Sequence, residues 1–570
     1  MVLNFIPSGA RRLAGWLSLG TVAYYLYRWY TVRLFFRRLK AAGLPLMPHS
    51  WLLGHIGLIA SLPPSDFPMD AYGNYMQTRF QKNWKKIFPE RETCPHVLYV
   101  DMWPFFQPVV IVTDPEVATQ YMSHPSTPKH PIARRFLYPL TQNLDLVTSE
   151  GQLWKTWRAR LNPGFSARNL LGLLPEILEE VDTFVEILRS KTGNQNEGEG
   201  WGDLFEMEGC TTNMTFDVIG RAGLGIKLGS QRQNADSTGF REVLAETVDL
   251  LVLEENTKTL RKRLSPWRRY KIWANQRYMD RILMPQIERE LHRSKDEENT
   301  GATAQKTVLE LSVKTTKEEM GPGADISELD PMFVKTLLAQ LKIFLFAGHD
   351  TTATSLCWIW HELGRNPDAL ETMRKEHDEI FGKDVGKARE MLEREPALVN
   401  RCPYTNGVVK EGLRLHPNIA SARLGSKSIN LRNVPGFPNT SFPTEGLMIW
   451  DGVQAMHARD DIWVDAQSFR PERWMVTDEN DPMHPPKNAW RPFSIGPRNC
   501  IGQELAMLEM KLTMIMTARE LDVVEDWDEW DRQNPGKSKD TYNGERMYQI
   551  KGSTPHAKEG MPTRVRLARR

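Results

Sequence analysis

The stretch Pro331–Arg365 sets the strongest limit on what this chain can fold into. It opens on Asp330-Pro331, an N-cap residue followed by a proline at the first helical position. It closes before Asn366-Pro367, because a residue ahead of proline avoids the α region. Between these ends run LLAQLKIFLFAG and SLCWIW, and a helix of that length spans about 50 Å, the width of a whole domain. Such a helix has to cross the core. Most of the chain beyond residue 150 is helical in pattern, whereas HVLYVDMW (96–103) and QPVVIVT (107–113), joined through Pro104, read as a β-hairpin. A further helix starts at Asp114-Pro115. The expected class is mainly α with a smaller β region. The polar stretches 193–200 and 294–323 read as exposed loops, and no internal repeat is visible.

The amino terminus is apolar in a different way. LAGWLSLGTVAYYLY (13–27) carries no charge, and apolar residues resume after Arg28. Roughly 20 such residues cross a bilayer, a length reached here if Arg28 snorkels to the interface. Arg11 and Arg12 precede the segment, and Arg28, Arg33, Arg37, Arg38 and Lys40 follow its core, which places the rest of the chain on the cytosolic side. Residues 1–12 are thus expected as a flank, 13–36 as a single transmembrane helix, 37–50 as a hinge broken by Pro45 and Pro48, and 51–570 as the body. A monotopic helix and a cleaved signal are the competing readings; no small-residue cleavage site follows.

Lys plus Arg number 73 against 71 for Asp plus Glu, so no field of one sign is available to attract nucleic acid, which is excluded as a partner. The five cysteines are an odd count with no C-x-x-C pair, which disfavours a disulfide scaffold or a structural zinc. Cys500 differs from the rest. It lies in FSIGPRNCIG just before the helical pattern QELAMLEMKLTMIMTARELD, where the helix dipole and free N–H groups favour a thiolate and lower its pKa. Gly496 and Gly502 permit close approach of a flat ligand, and Arg498 adds a cation. A buried structural cysteine in a glycine-rich loop is the alternative on these residues alone.

FSIGPRNCIG also matches in full the F-x-x-G-x-R-x-C-x-G signature of the haem-thiolate monooxygenases, and the chain resembles the cytochromes P-450 from its proline hinge to about residue 525. The resemblance implies that Cys500 is the axial ligand of haem b, that Phe493 packs beside the sulfur, and that Arg498 meets a haem propionate. Other motifs stand in the family's order. Trp154 and Arg158 of WKTWR and Arg423 would be further propionate partners. AGHDTT (347–352) matches the oxygen-activation motif, with small Ala347 and Gly348 leaving room for dioxygen and Asp350 and Thr351 forming an acid–alcohol proton relay. The bland reading of Thr351 is a hydroxyl bonded to a carbonyl one turn back. Glu411, Arg414 and Arg473 would form a buried structural network, and His457 would pack or hydrogen-bond rather than ligate.

The implied activity is insertion of one atom of dioxygen into a hydrophobic small molecule, in the manner of microsomal fungal members that act on polyketides, terpenoids or fatty acids. Segments 138–147, 344–347 and 419–422 would line the pocket. No glycine-rich dinucleotide loop follows a strand, so electrons from NADPH would come through a separate cytochrome P-450 reductase in the endoplasmic reticulum membrane, docked by Lys155, Arg160 and Lys511. A reductase-independent isomerase or dehydratase, or a non-enzymatic membrane haem protein, are the alternatives; intact Asp350 and Thr351 argue against both. The tail, 526–570, is expected to contribute a terminal hairpin near the pocket.

Overall fold

The computed structural model describes residues 8–64, 67–124, 127–194, 200–232, 239–251, 265–296, 306–320, 330–552 and 554–569. The core helix forms at Pro331–Arg365 as its end signals require: Asp330 Oδ1 accepts the Met332 N–H at 2.9 Å, and Arg365 is the last helical residue. Nearly every side chain from Leu337 to Leu363 is buried, and the helices Met207–Ile219, Pro403–Leu415 and Gln503–Thr517 join it in the main apolar core.

The hairpin expected around Pro104 is present as Val97–Val100 paired antiparallel with Val109–Val112. It extends into a four-stranded sheet through a parallel pairing with Met448–Asp451, whose other edge holds Ala422–Leu424. The helix after it, Pro115–Met122, is capped by Asp114, which accepts the Val117 N–H at 2.8 Å. At the opposite end of the chain, Pro562–Leu567 lies between Leu521–Glu525 and Phe205–Glu206, while Gln549–Ile550 and His556–Ala557 pair as the expected terminal hairpin.

Two expectations fail for physical reasons. The segment 294–323 is not simply a loop: Val308–Met320 is a helix with Val308, Leu309 and Val313 buried at helical spacing, a stripe too narrow to stand out in a polar run. The break after the amino-terminal helix does not wait for the prolines either. One helix runs Ser8–Ala41 and ends at Gly43, whose positive φ (77°) lets its N–H reach Lys40 O and the Leu44 N–H reach Leu39 O, a Schellman stop. Residues 37–41 therefore belong to the helix rather than to a hinge.

That helix has two different halves. Between residues 13 and 27 its large apolar side chains are exposed, Trp16 by 71% and Tyr27 by 65%. From residue 32 onward it packs on the body: Val32, Phe36 and Leu39 are buried, and Arg33 is wholly buried, bonded to Asp101 and to the carbonyls of Trp51, Leu52 and Trp103. Among the described residues, the helix long and apolar enough to cross a membrane by length and hydropathy is the buried core helix.

Candidate functional site

The loop before the helix Gln503–Thr517 closes on itself, with the Cys500 N–H bonded to Phe493 O at 2.9 Å and the Asn499 N–H to Gly496 O at 3.1 Å. Gly496 is in the left-handed region (φ 75°), and a Cβ there would lie 2.7 Å from Met122 O, so both the turn and the packing demand glycine. Cys500 is accessible although protein encloses it, and it therefore lines an internal cleft. The other cysteines do not. Cys357 is buried inside the core helix against Thr211, Cys402 is buried, and burial pushes the thiols of Cys94 and Cys210 up.

The Cys500 thiol is not lowered as its sequence position suggested. Burial pushes it up, only partly opposed by the Gly502 N–H and by the fields of Arg158 and Lys129. Arg498 plays no part in that field, because it turns away to Glu150 (3.0 Å) and Ser149 O (2.9 Å) with its guanidinium over the Trp154 ring at 4.5 Å. Arg158 holds the loop directly, donating to Asn499 O and to Asn499 Oδ1, both at 2.9 Å.

Around this loop the chain gathers more positive charge than it neutralises. Arg423 is 1% exposed, yet none of its three guanidinium nitrogens has a hydrogen-bond partner among the described residues. Its backbone is bridged to that of Lys129, whose amine is pushed down to about 7 by burial and then by Arg423 and Arg498. Arg498 is pushed down to about 10, by burial first, with Arg423 and Arg158 acting against Glu150. Glu150 is set among these groups, taking the Lys129 N–H at 2.8 Å, and Asp451 is a second carboxylate acting on Arg423. An orphaned buried guanidinium beside three further cations is a donor set suited to carboxylates, and the two propionates of a haem would fit it. Lys129 and Asn499 were not singled out from the sequence, since neither PKHP nor the variable positions of the cysteine signature mark them.

On the core helix, Ala347, Gly348 and Thr351 are partly exposed where almost all neighbouring positions are buried. A Cβ on Gly348 would meet Ile219 at 3.0 Å, so its small size serves packing between the core helix and Met207–Ile219. Thr351 donates to Ala347 O at 2.9 Å, the one-turn-back bond of the bland reading, which leaves its lone pairs free to accept. Asp350 is buried and takes the Thr554 hydroxyl, with His556 Nε2 at 3.9 Å from its other oxygen. Of the expected pocket residues, Phe344 belongs instead to the core, its ring 5.1 Å from that of Phe165.

Glu411, Arg414 and Arg473 meet as expected. Glu411 accepts from Arg414 at 2.8 and 3.0 Å, from Arg473 at 2.9 Å and from Trp474 Nε1 at 3.0 Å, while Arg414 also donates to the carbonyls of His457, Ala466 and Ser468. His457 bridges Arg414 O (2.8 Å) and the Arg491 N–H (3.1 Å), so both of its ring nitrogens are engaged. Of the three cations expected to dock a reductase, Arg160 is engaged with Glu319 at 2.7 Å and Lys511 meets Asn400 at 3.2 Å; Lys155 is exposed.

Residues 63–546 match the family profile described as Cytochrome P450. The chain belongs to the cytochrome P450 family. This cytochrome P450 is 34% identical over 556 residues to the cytochrome P450 monooxygenase polC of Polytolypa hystricis, covering 96% of this chain and 93% of the relative. It is 29% identical to the monooxygenase acrF of Aspergillus aculeatus, covering 88% and 98%. The crystal structure of cytochrome P450DA heme domain superposes with a TM-score of 0.62 at 18% identity over 92% of this chain and 96% of that one, a likeness of fold. As a cytochrome P450, the protein is a haem-thiolate monooxygenase.

Proposed function

We propose that Cys500 supplies the thiolate, that Arg158, Arg423 and Arg498 with Trp154 and Lys129 hold the propionates, and that Phe493 buttresses the loop beside the sulfur. The observation that carries this reading is the buried Arg423 guanidinium with no hydrogen-bond partner among the described residues, set among Lys129, Arg158 and Arg498 within reach of the Cys500 loop. When bound, the haem iron supplies the site of dioxygen binding and reduction. The chain's own residues do the rest. Asp350 holds the proton that reduction of dioxygen consumes, and the Thr351 hydroxyl passes it on, its acceptor lone pairs being free. Ala347 and Gly348 keep the space above the ring open. Glu411, Arg414 and Arg473 lock the segments that carry the cysteine loop.

The substrate is a hydrophobic small molecule, and fungal relatives with monooxygenase names support a secondary metabolite of polyketide, terpenoid or fatty-acid type. Electrons come from NADPH through a membrane-bound reductase. The exposed apolar half of the amino-terminal helix, Trp16, Leu17, Leu19 and Val22 among it, supports a single-pass anchor in the endoplasmic reticulum with the body in the cytosol. Because Val32, Arg33 and Phe36 pack on the body, the membrane segment ends near Tyr30 rather than at residue 36.

Co-expression with a reductase, followed by mass-spectrometric screening for products that gain one oxygen atom, tests the activity. Cys500→Ser tests the ligand: the ferrous carbon monoxide complex should lose its thiolate-type Soret band, and a variant that kept the band would overturn the assignment.

A further inference from the structure

We propose that His556, on the carboxy-terminal hairpin, is the group that reloads Asp350 with a proton from solvent. This rests on the reading of Asp350 and Thr351 as the acid–alcohol pair. A buried acid that gives up a proton at every turnover needs a route to water, and Asp350 is only 7% exposed. The His556 side chain is a third exposed and reaches inward, with Nε2 3.9 Å from Asp350 Oδ1, so it touches both solvent and the acid.

The ring is anchored at one edge and flanked at the other. Nδ1 bonds to Glu208 Oε1 at 3.2 Å, and the same oxygen takes the Ala557 N–H at 3.1 Å and the Thr354 hydroxyl at 2.9 Å. Gly552 lies against the opposite edge, where a Cβ would come within 2.3 Å of His556 Cδ2. Thr554, two residues before the histidine, donates to Asp350 and fixes the acceptor.

The groups that face this imidazole are Glu208 from the helix Met207–Ile219, Asp350 and His349 from the core helix, and Asp249 at the end of Phe240–Asp249; Arg241 acts on His349. Burial opposes charge on the ring, but the Glu208 hydrogen bond and the fields of Asp350, Glu208 and Asp249 overcome it and raise the imidazole to about 9. The imidazole therefore carries its proton at neutral pH, held there by the carboxylates it faces, and transfer to Asp350 is drawn forward only by consumption of the Asp350 proton. In the transfer the Nε2–H bond breaks, an O–H bond forms on Asp350 Oδ1, and the imidazole keeps the electron pair until water reprotonates it. The gap closes to about 3 Å by side-chain rotation or through one water. No oxidant or reductant enters the step.

The experiment uses the full-length, haem-loaded enzyme with its reductase and follows how NADPH electrons divide between peroxide and water, for wild type, His556→Gln and Thr351→Ala. The expected result is a several-fold larger peroxide share in H556Q, a larger solvent deuterium isotope effect, and loss of the alkaline limb near pH 9, at unchanged haem content. If T351A raises peroxide and H556Q does not, the role of His556 is overturned; if T351A itself has no effect, the acid–alcohol reading falls instead. A second measurement needs no turnover: in ring-labelled protein the His556 resonance should titrate near pH 9 and shift to lower pH in Asp350→Asn. An unchanged midpoint would remove the contact on which the proposal stands.

Discussion

Lys129 and Arg423 are bridged backbone to backbone, so two buried cations that repel each other are fixed side by side. The fold alone gains nothing from this. A buried guanidinium without a partner costs several kcal/mol in the protein by itself, on the order of 3 kcal/mol, and returns that energy only when an anion arrives. Arg423→Met should therefore act with opposite signs on the two forms. The haem-free protein should melt higher than wild type, whereas the holoprotein should lose haem faster, by about 100-fold for 3 kcal/mol. Differential scanning calorimetry of the apoprotein and haem transfer to an acceptor globin measure the two effects; equal shifts in both forms would show that Arg423 meets no ligand.

The Glu411 carboxylate makes the reverse prediction. It is fully buried and shared by Arg414, Arg473 and Trp474, so Glu411→Gln leaves two buried cations without their counter-charge at about 3–5 kcal/mol. The variant should accumulate as haem-poor or insoluble protein. Normal yield with a normal carbon monoxide spectrum would mean that the backbone carbonyls around Arg414 suffice.

Acid should destabilise this protein earlier than its carboxylates require. Burial lowers His55, His377 and His457 to about 3 and His130 to about 4. Each of these folded-state values lies below the unfolded one, so the unfolded chain binds the extra protons. Stability is then present above about pH 6.5 and falls as pH drops towards the folded values, by about 1.4 kcal/mol per unit for each histidine. Unfolding midpoints in urea should decline steeply between pH 6.5 and 5, and His377→Gln should flatten the slope.

Two truncations separate the halves of the amino-terminal helix. Removal of residues 1–28 should release the protein from membranes and leave its haem spectrum intact. Removal through Ala41 should instead destabilise it, because Phe36 and Leu39 leave the core and Asp101 loses Arg33. Fractionation and thermal melts of the two shortened proteins distinguish these outcomes.

Features written in contiguous residues were legible before the structure. The ends of the core helix follow from Asp330-Pro331 and Asn366-Pro367, the hairpin from its two β-rich runs, and the cysteine loop from its glycines. What escaped depends on partners far away in the chain. Glu150 reaches Lys129 and Arg498, Thr554 reaches Asp350 across 204 positions, and Gly348 is small partly because Ile219 lies against it. The thiol of Cys500 goes up rather than down for the same reason: enclosure by distant segments outweighs the local helix terminus.

The amino-terminal helix runs without a break from Ser8 into a segment bolted to the body through Arg33 and Asp101. A flexible tether would let the body swivel freely above a lipid surface. A continuous rod clamped at one end instead works as a lever: tilt of its free end is transmitted as rotation of the whole body. With the exposed half in a bilayer, as proposed, the angle of the body to the lipid surface would be set by helix geometry rather than by slack in a linker.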